Sequence, residues 1–302
     1  MSYFPTNEDE ISLIKFIAKY QYLNVSDAKY FFNSSRYYRN RIKNLIDKNF
    51  LRKIKWMLVL GKSGIQYVKL LNFEYNKSNK NAKYRERLLK LSNIAALYHN
   101  CNTVDFTPSF AIKDKRIFTT TGRRFIGIFD INGFEYLAYQ ILREHDNKYI
   151  QSIIYDIQKE MKYRNIIILI DDINRINLND FAFGLNRILV IEDNEINRDK
   201  LKYLHSIRWK TIIDKCYKGA YLSEYSFCEY TNNKDKFINT FYFIDTEKIT
   251  RFKYFIKENS TKKADIICNT ELETRLRREI PDANYCVVDL EKYIDKERKY
   301  YC

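Results

Sequence analysis

The sequence predicts a mixed α/β protein, α+β overall, in which a small helical domain precedes a larger domain that contains a mixed sheet. Two observations predict this. Apolar residues recur at helical spacing up to Asn49, and after Val104 short apolar runs alternate with helical stretches, which favours parallel strand pairing. The chain has 302 residues, 45% of them hydrophobic, which suffices for two domains with their own cores. The chain has only 7 glycines and 3 prolines, which predicts that most of its residues lie in helices and strands.

Three short helices are predicted at the N-terminus. Isoleucines at helical spacing predict the first helix from Glu8 to Leu23, with Thr6 as its cap and Asp9 three positions on. After a turn, Ser26 can cap a second short helix that extends to Phe32. Ser34 or Ser35 can cap a third helix, which runs to Lys48 or Asn49.

A hairpin and a fourth helix complete this domain. Two short strands are predicted at Leu51–Ile54 and Met57–Leu60, across a tight turn at Lys55 and Trp56. A helix is then expected from Gly61 to Leu71. Three helices followed by a hairpin is the order of a winged helix-turn-helix, and we assign it to residues 1–72.

The remaining chain is predicted to hold a connector and an α/β domain. Residues 73–83 are polar and aperiodic, which predicts a linker, and a helix from Tyr84 to Asn100 is expected to connect the two domains. Residues 101–302 form the predicted α/β domain, with a subdivision near 195 left open. Asn132-Gly133 predicts a hairpin between two apolar runs. Strands are expected at 104–112, 125–130, 134–142, 166–170, 188–191, 241–244, 264–268 and 285–288, and helices at 148–162, 197–206, 247–258 and 271–279.

Charge indicates a polyanionic partner. The chain has 53 Lys and Arg residues against 38 Asp and Glu residues, a net charge of +15 and a pI near 9.3. Such an excess attracts nucleic acid in a salt-dependent way. The third predicted helix is the segment most suited to contact nucleic acid, because its apolar residues share one face and its cations and amides share the opposite face. The predicted DNA-binding residues lie on this helix and on the hairpin: Ser35, Arg36, Tyr37, Arg39, Asn40, Lys43, Lys53 and Lys55.

Each of these residue types has a defined part in DNA recognition. Arg can bond guanine O6 and N7 in the major groove, and Asn can bond adenine N6 and N7. Hydroxyls at the start of the helix and the hairpin lysines suit phosphate contacts, which fix register without reading sequence. The alternative is a solvated basic helix, because the many Lys, Asn, Ile and Tyr residues are typical of AT-rich coding.

The segments IKFIAKYQYLNVSDAKYFF, YYRNRIKNLIDKNFLRKI and LGKSGIQYVKLL resemble the N-terminal winged helix of the replication-relaxation family of plasmid and conjugative-element proteins. In that family a helix comparable to 85–99 leads into an α/β domain similar to restriction endonucleases. The resemblance implies the same layout here over at least residues 8–170. It also implies work on the DNA of a plasmid, phage or transposon, in replication, transfer or transcriptional control.

The catalytic pattern of a restriction-like nuclease is absent from the predicted hairpin. Such enzymes hold a divalent ion between an acidic residue on one strand and Glu-x-Lys on the next. Here the acidic position falls on Ile126 and the position before it, usually a proline, on Phe125. The Glu and Lys positions of the second strand fall near Tyr139 and Ile141. The sequence therefore predicts no catalytic residue, no metal ligand and no cofactor, and non-enzymatic binding of double-stranded DNA is favoured.

Two other functions remain open from the sequence. A metal-dependent nuclease or relaxase would have to use Asp130, Glu135 and Asp171. A protein-interaction module would carry its basic charge incidentally. We expect a cytoplasmic protein, because the N-terminus lacks a signal peptide, no apolar run suits a membrane span, and the six cysteines are widely spaced with no CxxC pair. The sequence also leaves a homodimer possible as an oligomeric state.

Overall fold

A computed structural model describes residues 5, 7–32, 37–76, 81–113, 124–159, 164–232, 236–259 and 263–294. These residues form α-helices, one antiparallel sheet and two sheets of mixed strand orientation, so the predicted mixed α/β class is confirmed. The chain divides into two compact units. The first comprises residues 1–101 and 105–112, and the second comprises residues 102–104 and 113–302.

The first unit contains helices and a small antiparallel sheet. Its sheet has the order β1-β3-β2, and we refer to the hairpin of β2 and β3, residues 51–60, as the wing. The predicted strand bounds of this hairpin agree with the structure. In chain order the elements are α1 (Glu8–Tyr20), β1 (Leu23–Asn24), a 3₁₀-helix (Asp27–Phe31), α2 (Tyr38–Asp47), β2 (Leu51–Ile54), β3 (Met57–Leu60), α3 (Lys62–Leu70) and α4 (Ala82–Leu97).

Helix α1 is shorter than predicted at its C-terminal end. Gln21 takes a φ of 72°, which ends the helix, and Leu23 instead pairs with Leu58 of β3. Asn7 caps the helix, because its side-chain oxygen accepts the Asp9 N–H at 2.8 Å. The predicted caps Thr6, Ser34 and Ser35 lie outside the described residues.

Helix α4 packs within the first unit. His99, just beyond its end, stacks on Phe31 of the 3₁₀-helix at 4.2 Å between ring centroids and meets Phe16 of α1 edge-on at 5.8 Å. The Ser12 hydroxyl and His99 Nε2 share a hydrogen bond of 2.5 Å. Burial, with the charge of Lys19, lowers the pKa of His99 and favours the neutral imidazole. The segment that the sequence assigned to a connector thus contributes to the core around α1.

The second unit is built on two mixed sheets. Among the strands of this unit, the larger sheet has the order β12-β8-β7-β6-β5, in which β6, β7 and β8 are parallel to one another. The predicted hairpin at Asn132-Gly133 joins β5 to β6. β4 (Val104–Pro108) and α5 (Ser109–Lys113) lie almost entirely in residues 105–112 and so belong to the first unit. The elements of the second unit up to β8 are β5 (Gly127–Ile131), β6 (Phe134–Ile141), α6 (Asn147–Lys159), β7 (Asn165–Ile170) and β8 (Arg187–Glu192).

The smaller sheet has the order β14-β13-β11-β10-β9, with β11, β13 and β14 parallel. Its sequence-predicted strand at 241–244 is wrong, because the main strand lies earlier and ends at Phe241. The elements are α7 (Glu195–Lys200), α8 (Trp209–Cys216), β9 (Tyr221–Leu222), β10 (Tyr230–Asn232), β11 (Lys236–Phe241), β12 (Ile244–Asp245), α9 (Thr246–Glu258), β13 (Lys263–Cys268), α10 (Thr270–Glu279) and β14 (Asn284–Val287).

Candidate nucleic-acid interface

Helix α2 presents a polar face to solvent. Ile42 and Leu45 are buried, and they fix the orientation of the helix against the first unit. Arg39, Asn40 and Lys43 are exposed, as the helical periodicity predicts. Their side chains are available to a partner, and contact with DNA stays a prediction. Ser35 and Arg36, also predicted to bind DNA, lie outside the described residues.

Arg39 lies along the surface of its own helix. Its Nε donates to the Tyr38 hydroxyl at 3.3 Å, and its guanidinium carbon is 5.9 Å from the centroid of that ring. The hydrogen bond to Tyr38 raises the pKa of Arg39. Because Arg39 is fully exposed to solvent, it can leave this ring at little cost and reach a partner. Tyr37, which precedes the helix, is 65% exposed.

An ion pair between a buried carboxylate and a half-exposed arginine, which the sequence did not reveal, attaches α2 to α1. Arg41 Nη1 donates to Glu10 Oε1 at 3.2 Å. The Glu10 side chain is only 1% exposed, whereas that of Arg41 is 46% exposed. This guanidinium is therefore directed towards the unit itself, unlike Arg39 two residues earlier. The signal in the sequence is the position of Glu10 three residues before Leu13, on the apolar face of α1.

The wing adds a second basic element. Lys53 on β2 and Lys55 in the turn are exposed, as predicted. Two residues that were not among the predicted DNA-binding residues are also exposed here: Arg52 on β2, and Trp56, which is 52% exposed at the wing tip. Lys55 has a φ of 56°, and its Nζ lies 5.7 Å from the Trp56 ring centroid. The tip thus combines the Lys55 cation with a large aromatic surface, and Arg52 and Lys53 lie on the strand that leads to it, which suits contact with a phosphate backbone and a groove.

The acidic residues considered for a nuclease do not converge. Asp130 and Glu135 face each other at the β5–β6 hairpin, where Asp130 accepts the Gly133 N–H at 2.8 Å. Asp171 lies at the far end of β6, because its N–H donates to the Ile141 carbonyl. Ile141 is six residue steps along the extended strand from Glu135, which is roughly 20 Å at about 3.3 Å per step. One metal ion cannot bridge that distance.

Arginines neutralise the carboxylates at the ends of the parallel strands. Asp171 pairs with Arg175 at 3.1 Å. Asp193 pairs with Arg198 at 2.6 Å and accepts the Gln140 amide at 2.6 Å. Within the residues that the structure describes, no group of three or more His, Cys, Asp or Glu side chains is placed to hold a metal ion. The nuclease positions Tyr139 and Ile141 are fully buried in β6.

Comparisons with family models, with curated proteins and with solved structures return no match. The resemblance to the replication-relaxation family and to restriction endonucleases therefore stays a prediction. Over the described residues, none of the helices combines the length and the apolar composition that a membrane crossing requires.

Proposed function

We propose that the protein binds double-stranded DNA in a sequence-specific way through α2 and the wing of its first unit. The observation that carries the proposal is the uneven distribution of charge. Residues 1–101 contain 19 Lys and Arg residues and 7 Asp and Glu residues, whereas residues 102–302 contain 34 and 31. A coding bias towards lysine acts on the whole chain, so it does not account for a basic first unit beside a nearly neutral second one.

The arrangement of side chains supports separate roles for the two elements. On α2, Arg39 and Asn40 can read base edges, because both residue types form bidentate bonds in the major groove. On the wing, Lys53 and Lys55 suit phosphates, which give affinity and orientation without sequence preference. The pair between Arg41 and Glu10 would hold α2 in a fixed orientation while it docks.

Fluorescence anisotropy tests the proposal with the full chain. A duplex selected from a random pool is compared with a scrambled duplex over a series of salt concentrations. We expect a steep fall in log affinity with log salt, and tighter binding of the selected duplex. Arg39→Ala and Asn40→Ala should each weaken binding of the selected duplex by about 1–3 kcal/mol and move it towards the scrambled value.

Two lysine variants separate the wing from general surface charge. Lys53→Ala should weaken both duplexes alike and reduce the salt slope by about 1. Lys69→Ala, on an exposed position of α3, is the matched control and should leave both affinities unchanged. A pool without enrichment, together with a flat salt dependence, would instead support a protein-interaction module. Nicking of supercoiled plasmid in Mg²⁺ or Mn²⁺ would support a nuclease.

On the resemblance to the replication-relaxation family, we infer that the DNA belongs to a mobile element, where the protein acts in replication, transfer or transcriptional control. The sequence selected from the pool should then recur in the DNA that flanks the gene. A homodimer would select an inverted repeat with half-sites about one helical turn apart. Sedimentation of the free protein and of its complex would show whether two copies bind.

A further inference from the structure

Two thiols that are 70 residues apart in the sequence meet on the second unit. The Sγ atoms of Cys216 and Cys286 lie 3.6 Å apart, and the Cys286 thiol donates to the Cys216 sulfur. Cys216 is the last residue of α8 and is exposed, whereas Cys286 lies on β14 and is half-buried. A shift of well under the length of a side chain would bring the two sulfurs to the bonding distance of about 2 Å.

One carboxylate anchors the chain on both sides of this thiol pair. Asp265 of β13 is close to the Tyr217 phenol, adjacent to Cys216: burial, with the charge of Asp265, raises the pKa of Tyr217. Asn284, two residues before Cys286 and on the same face of β14, donates its amide to Asp265 Oδ1 at 2.8 Å. Lys236 pairs with the other oxygen, Oδ2, at 3.3 Å. Because Asp265 is almost fully buried, its contacts hold the segments that carry Cys216 and Cys286 in place relative to β13.

The other cysteines of this unit for which the structure describes a position are sequestered. Cys228 is 5% exposed and its thiol donates to the Ser223 hydroxyl at 3.0 Å. Cys268 is fully buried in β13. An external oxidant therefore meets Cys216 more readily than either of these two thiols.

We propose that Cys216 and Cys286 are a modification site, at which a low-molecular-weight disulfide such as oxidised glutathione forms a reversible intrachain disulfide. The exposed Cys216 attacks one sulfur of the reagent, whose S–S bond breaks and releases one thiol. Cys286 then loses its proton, attacks Cys216 Sγ and expels the second thiol. Two protein thiols and one small disulfide thus give one protein disulfide and two small thiols, and the reverse reaction consumes two small thiols and regenerates the small disulfide.

The surroundings of Cys286 favour this order of events. Burial, with the hydrogen bond and the charge of Cys216 and the charge of Asp265, raises the pKa of Cys286 to about 11, so it remains a thiol while Cys216 is free. Once Cys216 is part of a mixed disulfide it carries no charge. The contributions of Cys216 to the raised pKa then disappear, and Cys286 loses its proton more easily for the second attack.

Peptide mapping of the native full chain tests the site. The reduced protein is incubated with oxidised glutathione, quenched in acid, alkylated and cleaved with trypsin. We expect the peptide Cys216–Lys218 to be joined to the peptide Glu279–Lys292, and reduction should separate them. Cys216 should react at least about tenfold faster than Cys228 and Cys268, which remain alkylatable only after unfolding.

Three variants distinguish this order from chance oxidation. Cys286→Ser should stop at a stable mixed disulfide on Cys216, and Cys216→Ser should give no intrachain bond. Cys228→Ser is the matched control and should behave as the unmodified chain. The proposal is overturned if the joined peptides appear only after unfolding, if another cysteine replaces either partner at similar yield, or if Cys286→Ser acquires no mixed disulfide.

Discussion

Replacement of Gly64 by alanine should destabilise the first unit, although it places a better helix former inside α3. In an unconstrained helix the change stabilises by about 0.5–1 kcal/mol. At Gly64, however, the new Cβ would lie 2.1 Å from the Phe50 carbonyl oxygen and 3.1 Å from its carbon. That oxygen accepts the Gly61 N–H at 2.9 Å, so the carbonyl cannot move away without loss of a hydrogen bond.

The magnitude follows from three opposing contributions. Overpacking of a tight contact costs about 1–3 kcal/mol. The strained hydrogen bond costs about 1 kcal/mol more, and the gain in helix propensity offsets about 1 kcal/mol. We therefore expect Gly64→Ala to lower the free energy of unfolding of the first unit by about 2 kcal/mol.

Tryptophan fluorescence during urea unfolding can isolate this unit. The chain has two tryptophans, Trp56 on the wing and Trp209 on α8 of the second unit, so a Trp209→Phe background reports on the first unit alone. Ser63→Ala is the matched control, because it raises helix propensity at the adjacent position and should stabilise slightly. If Gly64→Ala matched or exceeded the stability of the parent, the close approach of α3 to Phe50 would be refuted.

Three further substitutions test other contacts. Arg41→Ala removes the guanidinium 3.2 Å from Glu10 and should cost about 1–2 kcal/mol by the same assay, since nearly half of the Arg41 side chain is exposed; no change would exclude a role in orienting α2. His99 has a lowered pKa in the folded protein, so its contribution to the free energy of unfolding should be complete above about pH 6.5 and should fall as the pH drops through the folded-state pKa. Urea titrations at several pH values should show that His99→Phe makes the free energy of unfolding less dependent on pH. Arg175→Lys should lower the free energy of unfolding of the second unit by about 2–3 kcal/mol, because lysine cannot reproduce a guanidinium that donates to Asp171 and to three carbonyls. Trp209 fluorescence in a Trp56→Phe background measures this loss, and an unchanged unfolding midpoint would contradict the stabilising role of Arg175.

The elements that the sequence predicted correctly are those whose pattern is set locally. A two-residue turn joins the wing strands Leu51–Ile54 and Met57–Leu60, and the apolar residues on either side of it suffice to predict where both strands begin and end. The end of α1 could not be predicted in this way. Its helical pattern continues to Leu23, and only the pairing of Leu23 with Leu58, 35 positions away, makes that residue part of a strand.

Strand β11 was missed for a different reason. It contains Asn239 and Thr240, which are buried although polar. The Asn239 amide donates to the Phe227 carbonyl at 2.8 Å, and the Thr240 N–H donates to Glu229 at 3.0 Å. Sequence periodicity treats such residues as surface, because it has no access to the distant groups that satisfy them.

The candidate interface shows the same division. The exposure of Arg39, Asn40 and Lys43 follows from the spacing of Ile42 and Leu45 alone, and the structure confirms it. The direction of Arg41 does not follow from spacing, because its partner Glu10 belongs to another helix. Local pattern thus predicts which cations are available to a ligand, whereas the cations that hold the unit together are identified only by tertiary contacts.

The strand ends of the second unit explain why an acidic pair after a buried strand is a weak guide to catalysis. Asp193 binds Gln140 on β6 and Arg198 on α7, so it joins two elements to the end of its own strand. A metal ion there would have to displace a guanidinium and leave that charge in a partly buried site. The carboxylates therefore stabilise the fold, and their arginines explain why a nearly neutral unit follows a strongly basic one. Arg175 and Arg198 of this unit are paired with its own carboxylates, whereas Arg39 and Lys43 on α2 and Lys53 and Lys55 on the wing are exposed to solvent.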